Sequence, residues 1–335
     1  MVGWQKSTDI AVDLGTANTI VSVDGEVIFN GPSCIAIERH YGSDKVVAIG
    51  KRAKVMRGRT HSNLEVINPL SNGAISDFEV TKIFMATLIS ILSNRVSSHP
   101  RVGISIPQNL TQVERNSLYE ATLLAGAKEV IFIEDPFSAA VGTGMDINTS
   151  RGKMIVDCGS GLTEVSIISL GGMVTSSCTK VAGDALDCAI VDYVKRQKNL
   201  LISKDCAEGI KIQIADISQN APNTNCCVYG KDLLNGLPVG FEISSTDVRA
   251  AIMPCVQKIH ATILEVISSI PPQIVPDILE DGVIITGGGA LMRGFREYLE
   301  DKLKMSIHVS PDPLHDISKG AMEILKQIPH SSFIG

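Results

Sequence analysis

The sequence predicts an α/β protein built from two related halves, on three observations. The stretch VDLGTANTIVS at 12–22 returns as VDCGSGLTEVS at 156–166, with Val, Asp, Gly, Thr and Ser at matching positions. Such self-similarity is the mark of a duplicated supersecondary unit. Short apolar runs of strand length alternate with amphipathic stretches of helix length, the pattern of α/β proteins. The 335 residues exceed the size at which one hydrophobic core usually stays single.

Each element follows in order. The apolar strand Ile10 to Val12 ends at Asp13, the small-residue turn Gly15-Thr16-Ala17 follows, and a second strand from Thr19 to Val23 meets Asp24-Gly25, a two-residue hairpin signal. The 33–65 region reads as part of a smaller inserted subdomain. Ser76 with Glu79, and Thr111 with Glu114, have capping-box spacing ahead of helices that reach Leu92 and stop at Gly126. The strand VIFIE at 130–134 runs into Asp135-Pro136, where Asp is suited to capping and Pro to the first helical turn; Glu134 points to the other side of the strand end. In the repeat, the strand ending at Asp157 is followed by Gly159-Ser160-Gly161, a strand from Thr163, and Gly171-Gly172 as the hairpin turn. The segment 216–238 reads as loop and hairpin in a second inserted subdomain. Strand Val283 to Ile285 enters Gly287-Gly288-Gly289 and leaves as a helix near Leu291.

Bulk properties narrow the function. A composition of 44% hydrophobic and 20% charged residues is that of a globular protein, and a net charge of −6 excludes a general nucleic-acid binder, which needs a basic surplus. Eight scattered cysteines without Cys-x-x-Cys spacing read as reduced, small hydrophobes of a cytosolic protein. The start MVGWQKSTDI lacks a signal-peptide pattern, and the apolar run IFMATLISIL at 83–92 is too short to span a bilayer.

Each Asp-Gly turn suits two tasks: successive backbone N–H groups surround phosphate oxygens, and the carboxylate holds magnesium through water. One such turn also makes an ordinary hairpin; two in matching repeats point to a nucleotide. There is no G-x-x-x-x-G-K-[ST] loop, and GGGALMRG does not meet the G-x-G-x-x-G fingerprint, which argues against a dehydrogenase.

VDLGTANT at 12–19, VDCGSGLTE at 156–164 and ITGGGALMRG at 285–294 resemble the two phosphate motifs and the adenosine motif of the actin, sugar kinase and heat-shock chaperone superfamily. More narrowly, NPLSNGAISDFEV, VERNSLYEATLLAGAKEVIFIEDPFSAAVGTG, AEGIKIQIA and DPLHDISKGA are similar to the MreB family of bacterial actins over almost the whole chain. The resemblance implies an actin-like ATPase fold: two lobes and four subdomains around a nucleotide cleft. They would be 1–32, 66–140 and 320–335 (IA), 33–65 (IB), 141–182 with 243–319 (IIA), and 183–242 (IIB). It implies ATP or ADP with magnesium, Asp13 and Asp157 organising the ion and its waters. Gly15, Thr16, Ala17 and Asn18, with Gly159, Ser160 and Gly161, would hold the phosphates. Gly287, Gly288 and Gly289 would lie beside adenosine, Glu208 would match the glutamate at the ribose, and Lys211 lies one turn further on. It implies self-assembly head to tail into protofilaments, in pairs, at the inner face of the membrane, with paralogous filament proteins as further partners and no nucleic acid.

Two departures stand out. The family pattern D-x-G-G-G-T-T-E has Ser160 in place of a glycine and Leu162 in place of the first threonine, and its Glu-Pro is Asp135-Pro136. In the family that Glu and Thr orient the attacking water. Aspartate is one methylene shorter, and leucine offers no hydrogen bond. Asp135 and Leu162 are therefore degenerate catalytic positions, Asp135 being equally readable as a helix cap. The expectation is a filament protein for cell shape or motility that binds nucleotide but hydrolyses it weakly, a divergent paralogue of the kind found in wall-less helical bacteria. The alternatives are a non-hydrolysing scaffold filament and a small-molecule kinase of the superfamily. Val2 and Trp4 at the N-terminus, and the basic run KRAKVMRGR at 51–59, are candidate membrane contacts; the run reads equally as a solvated face.

Overall fold

The structure is a computed structural model that describes residues 8–39, 44–92, 95–96 and 100–329; Val2 and Trp4 lie outside the described residues. Two compact units divide the chain: residues 1–146 with 315–335, and residues 147–314.

Unit 1 carries β1 (Asp9–Leu14), β2 (Asn18–Val23), β3 (Glu26–Pro32), β4 (Ile35–Glu38), β5 (Lys45–Ile49), α1 (Lys51–Lys54), β6 (Leu64–Ile67), β7 (Leu70–Ser71), β8 (Ala74–Ile75), α2 (Phe78–Ile91), β9 (Arg101–Ile106), α3 (Gln112–Leu124), β10 (Glu129–Glu134) and α4 (Asp135–Gly142). Unit 2 carries β11 (Lys153–Cys158), β12 (Thr163–Ser169), β13 (Gly172–Thr179), α5 (Gly183–Lys198), β14 (Leu200–Leu201), α6 (Lys204–Ile214), β15 (Asn225–Asp232), β16 (Pro238–Ser244), α7 (Ser245–Ser268), α8 (Val275–Asp281), β17 (Val283–Thr286), α9 (Phe295–Leu303) and β18 (Ile307–Val309). The last helix, α10 (Asp316–Gln327), belongs to unit 1.

The repeat seen in sequence is a repeat in topology. The main sheet of unit 1 runs β10-β9-β1-β2-β3 and that of unit 2 runs β18-β17-β11-β12-β13. In both, three strands form an antiparallel meander, a fourth pairs in parallel with its first strand, and a fifth pairs in parallel with the fourth. Each unit also holds a small three-stranded sheet, β5-β4-β6 or β14-β15-β16. The first hairpin turns at Asp24 (φ 53°) and Gly25 (φ 94°), both left-handed, as a twisted two-residue hairpin requires. The second turns at Leu170 (φ 51°) and Gly171 (φ 69°), one residue earlier than the expected Gly171-Gly172, because Gly172 already pairs with Ser169.

Helix ends also refine the sequence reading. Thr111 and Glu114 form the expected capping box at α3. At α2 the cap is Asp77, whose carboxylate accepts from Val80 N–H at 3.0 Å, while Ser76 donates to the carbonyls of Asn68 and Pro69. At α4 the capping position falls on Glu134, which makes no side-chain cap bond, so Asp135 is the first helical residue and not the cap. After β17 the chain makes a 3-10 turn at Gly288–Leu291, and the α-helix waits until Phe295.

Each unit has its own core. In unit 1, Val80, Phe84 and Leu88 of α2 pack with Ile10, Val12 and Ile104 of the sheet. In unit 2, Ile252, Val256, Ile259 and Ile263 of α7 pack with Met154, Val156 and Ile285. By length and composition α7 is long and apolar enough to cross a membrane, but these residues form a helical stripe buried in the unit's core. α10 is tied to the start of unit 1 by Arg101, only 1% exposed, which grips the Asp9 carboxylate with two N–H groups at 2.7 and 2.9 Å and donates to the carbonyls of Leu325 and Ile328. All eight cysteines are free thiols. In the 51–59 run, Lys51, Arg52 and Arg59 are exposed, whereas Arg57 donates to Asn68 Oδ1 at 2.6 Å.

Candidate functional site: two matched turns

In unit 1, β1, β9 and β10 are parallel, with Asp13 level with Ser105 and Ser105 level with Ile133. Asp13 and, two residues past Ile133, Asp135 therefore lie along one carboxyl-end edge of the sheet, where open α/β sheets hold ligands. The turn after β1 is closed by Gly15 N–H donating to Asn18 O at 3.1 Å. Its carbonyls are taken from behind: Ser33 Oγ donates to Gly15 O at 2.5 Å, Ser33 N–H to Ala17 O at 2.8 Å, and Asn68 Nδ2 reaches Thr16 O at 3.5 Å. In a trans peptide the N–H points opposite to the C=O. Holding these three carbonyls thus turns the N–H groups of Thr16, Ala17 and Asn18 the other way. The Thr16 hydroxyl is engaged as well, accepting from Gly73 N–H at 2.9 Å.

In unit 2 the turn after β11 repeats this design with other donors. Gly159 N–H donates to Leu162 O at 2.9 Å, the counterpart of the Gly15 bond. The carbonyls of Gly159 and Ser160 accept from the backbone N–H groups of Gly183 and Asp184, the first residues of α5, at 3.2 and 2.8 Å. The N–H groups of Ser160 and Gly161 are thereby directed away from α5, ready for an anion. Space calls for glycine at the first turn, where a Cβ at Gly15 would sit 2.7 Å from Asn18 O; at Gly159 a Cβ would be tight, 3.0 Å from Leu162 O.

The third glycine cluster backs onto this second turn. β17 is parallel to β11 with Thr286 level with Asp157, so Gly287 leaves the sheet at the same edge. Gly287 has φ 79° and donates to Pro313 O at 3.0 Å, and a Cβ there would collide with the Asp157 carboxylate and the Cys158 carbonyl. Gly288 is exposed; Gly289 is half-buried and lies against Cys158, whose thiol is kept neutral by complete burial. Leu162 is 8% exposed, and the next residue, Thr163, spends its hydroxyl on Val181 O at 2.9 Å.

Glu208 and Lys211 share α6, as expected, but the Lys211 ammonium is committed to protein groups. It lies 2.7 Å from Asp187 Oδ1 and donates to Gly183 O at 3.1 Å. Burial pushes the Asp187 carboxyl up to about 6 against the pull of Lys211, with the like charges of Glu208 and Asp184 adding to the rise. Within unit 2 the structure therefore brings together the second turn, the 287–289 cluster and, through Gly183, Lys211. Within unit 1 it brings together Asp13, the first turn and Asp135. Sequence reasoning missed Ser33, Asn68, Gly73, Gly183, Asp184 and Asp187. The two Asp residues spaced three apart after Gly183 were a signal, since they share a helix face.

Each unit offers hard carboxylate oxygens, of Asp13 or of Asp157, and outward turn amides, a donor set that fits magnesium and phosphate. Among the described residues no cluster of three or more His, Cys, Asp or Glu side chains forms a dedicated metal cage.

The family model for MreB/Mbl protein matches residues 7–332. The cell shape-determining protein Mbl of Bacillus subtilis (strain 168) is 40% identical over 314 residues, covering 93% of this chain and 94% of that protein. The cell shape-determining protein MreB of Escherichia coli (strain K12) is 38% identical over 327 residues, covering 96% and 94%. The crystal structure of MreB5 of Spiroplasma citri bound to AMPPNP superposes with a TM-score of 0.89 at 31% identity, over 97% of both chains. The MamK double helical filament, at 22% identity and a TM-score of 0.80 over 97% of this chain and 100% of that one, shares the fold. With two units of one topology, paired glycine turns and relatives matched from end to end, this chain belongs to the MreB/Mbl family and has the actin-like fold.

Proposed function

We propose that this chain is a nucleotide-dependent, filament-forming bacterial actin that serves cell shape or motility and hydrolyses ATP slowly. The observation that carries the proposal is the pair of matched turns, each with its carbonyls withdrawn by other elements and its amides turned outward. The amides at 16–18 and at 160–161 would bind the phosphates of ATP or ADP, and Gly287, Gly288 and Gly289 would border the adenosine. Asp13 and Asp157 would hold magnesium through its waters, the ion supplying charge neutralisation at the phosphates. Relatives support this reading: Spiroplasma citri MreB5 was solved with AMPPNP and with ADP, and the Bacillus subtilis and Escherichia coli relatives are cell shape-determining proteins. The division into four subdomains belongs to the same proposal, as do head-to-tail protofilaments in pairs, paralogous filament partners and a place at the inner membrane face, where Lys51, Arg52 and Arg59 would meet anionic lipid.

Slow hydrolysis rests on Asp135 and Leu162. Leu162 is buried and apolar and gives an attacking water no hydrogen bond. A displacement of about 1 Å in a catalytic group costs roughly a hundredfold in rate, so the shorter Asp135 adds to the loss. The test is phosphate release measured alongside pelleting in ATP, in ADP and without nucleotide. Wild type should pellet with nucleotide while releasing phosphate slowly, and the Leu162→Thr, Asp135→Glu variant should release it at least about tenfold faster. Equal rates in the two proteins would sink the slow-hydrolysis reading, and solubility under every condition would sink the filament. Leu162 also favours a second reading, a scaffold filament without turnover, recognised by pelleting with no phosphate released. Sugar-dependent release of ADP would replace both with a kinase.

A further inference from the structure

The first turn of α5 touches the second phosphate turn directly, and something must hold that helix end in place. Gly183 and Asp184 N–H groups fix the Gly159 and Ser160 carbonyls, and the Gly183 carbonyl accepts from Lys211 Nζ at 3.1 Å. Lys211 in turn lies 2.7 Å from the carboxylate of Asp187, one helical turn along α5 and only 3% exposed. A Cβ on Gly183 would lie 3.3 Å from Ser160 Cα and 3.5 Å from Lys211 Nζ, so the ammonium and the turn both close on this residue. The run carboxylate, ammonium, Gly183–Asp184 peptide, Ser160 carbonyl is continuous, and every link is a hydrogen bond or an ion pair.

We propose that Asp187 and Lys211 are positioning residues that latch the start of α5 and thereby aim the Ser160 and Gly161 amides at phosphate, so that ionisation of Asp187 regulates nucleotide affinity. This rests on the reading of 159–161 as a phosphate grip. The ionised carboxylate holds Lys211 against Gly183; the protonated acid gives up the charge that holds it there, and the peptide on which the turn leans loosens. The charged groups acting on Asp187 are Asp184 on α5 itself and Lys204, Glu208 and Lys211 on α6. From α7, the titratable group at this end of α5 is Cys255, whose Sγ lies 3.8 Å from Ala185 O. Since the Asp187 carboxyl is pushed up to about 6, the latch is closed above that pH and opens below it.

The experiment uses the full chain and two readouts, ADP-magnesium affinity from pH 5 to 8 and amide hydrogen exchange at 159–161 without nucleotide. Asp187→Asn should bind ADP about tenfold more weakly than wild type at pH 7.5, the size of one lost charge-assisted contact. The ratio of the two affinities should shrink towards one as the pH falls through about 6, a comparison from which titration of the nucleotide itself cancels. Exchange at Ser160 and Gly161 should be faster in Asp187→Asn and in Lys211→Met, and close to wild type in Lys211→Arg, which keeps the charge. Affinity and turn exchange in Asp187→Asn within about twofold of wild type would overturn the latch while leaving nucleotide binding intact. Faster exchange in a protein whose wild type binds no ADP would uphold the latch and remove the phosphate reading. Should Asp187→Asn fail to fold, wild-type exchange at 159–161 decides alone: an increase on crossing pH 6 downwards, after correction for intrinsic rates, upholds the latch, and no increase overturns it.

Discussion

The two glycine turns share a closing hydrogen bond, a carboxylate one residue ahead of the strand end, and outward amides, yet they are braced by different means. The first leans on side chains, the hydroxyl of Ser33 and the amide of Asn68, with one backbone N–H from Ser33. The second leans on the backbone amides of α5 and is backed by Gly287. Duplicated units can thus arrive at one geometry from unrelated second layers. A brace made of side chains can be deleted one atom group at a time; a brace made of a helix end can only be moved.

The sharpest way to break the comparison is Gly287→Ala. A residue with a side chain at φ 79° is strained, and its Cβ would strike the Asp157 carboxylate, so a loss of about 2–4 kcal/mol is expected together with nucleotide binding. Thermal melting and ADP titration check it; a variant that melts and binds like wild type would show that the second turn does not depend on this backing. Next is Ser33→Ala, which strips the first turn of its hydroxyl donor and leaves Gly15 O and Thr19 Oγ1 short of a partner. A buried group left unsatisfied costs about 1–3 kcal/mol, read in melting and in weaker nucleotide binding. No single side-chain truncation directly at the second turn has a counterpart effect, because its donors are main chain.

The pH dependence sharpens the contrast further. Asp187 is raised above its ordinary value in the folded protein, so its contribution to stability is fully present below about 3.8 and is lost as the pH rises through about 6. Melting across that window should show the advantage of wild type over Asp187→Asn shrinking as the pH rises, while nucleotide affinity moves the other way. A constant difference between the two melting curves would mean that the carboxyl does not titrate there. The smallest effect expected is at α2, where Asp77→Ala should cost about 1 kcal/mol through its cap, measured by urea unfolding, with Ser76→Ala nearer to neutral.

How much of this was legible in the sequence depends on the range of the contact. The duplication was legible because Asp13 and Asp157 stand in strings that match residue for residue, and the sheets confirm it in order and register. The Thr111 box was legible because both partners lie within one turn. Neighbouring Ser76 and Asp77 both qualify as caps, and the choice between them was made by the distant carbonyls of Asn68 and Pro69, which claim the serine. The hairpin at Leu170-Gly171 was hidden because a leucine at positive φ is rare and the two following glycines looked better suited. The braces of the turns were the least legible part. Ser33 to Gly15 spans 18 residues and Lys211 to Asp187 spans 24, and only docked elements bring them together.

The grip of Arg101 on Asp9 and on the last carbonyls of α10 also bears on the order in which the chain is made. Unit 2 is a single run, 147–314, whose sheet and helices can pack as soon as that run has left the ribosome. Unit 1 is interrupted, and the arginine at the head of β9 has two of its acceptors in residues 325 and 328. Until those are synthesised, a guanidinium destined for burial lacks half its partners, so the first half of the sequence is the last to settle.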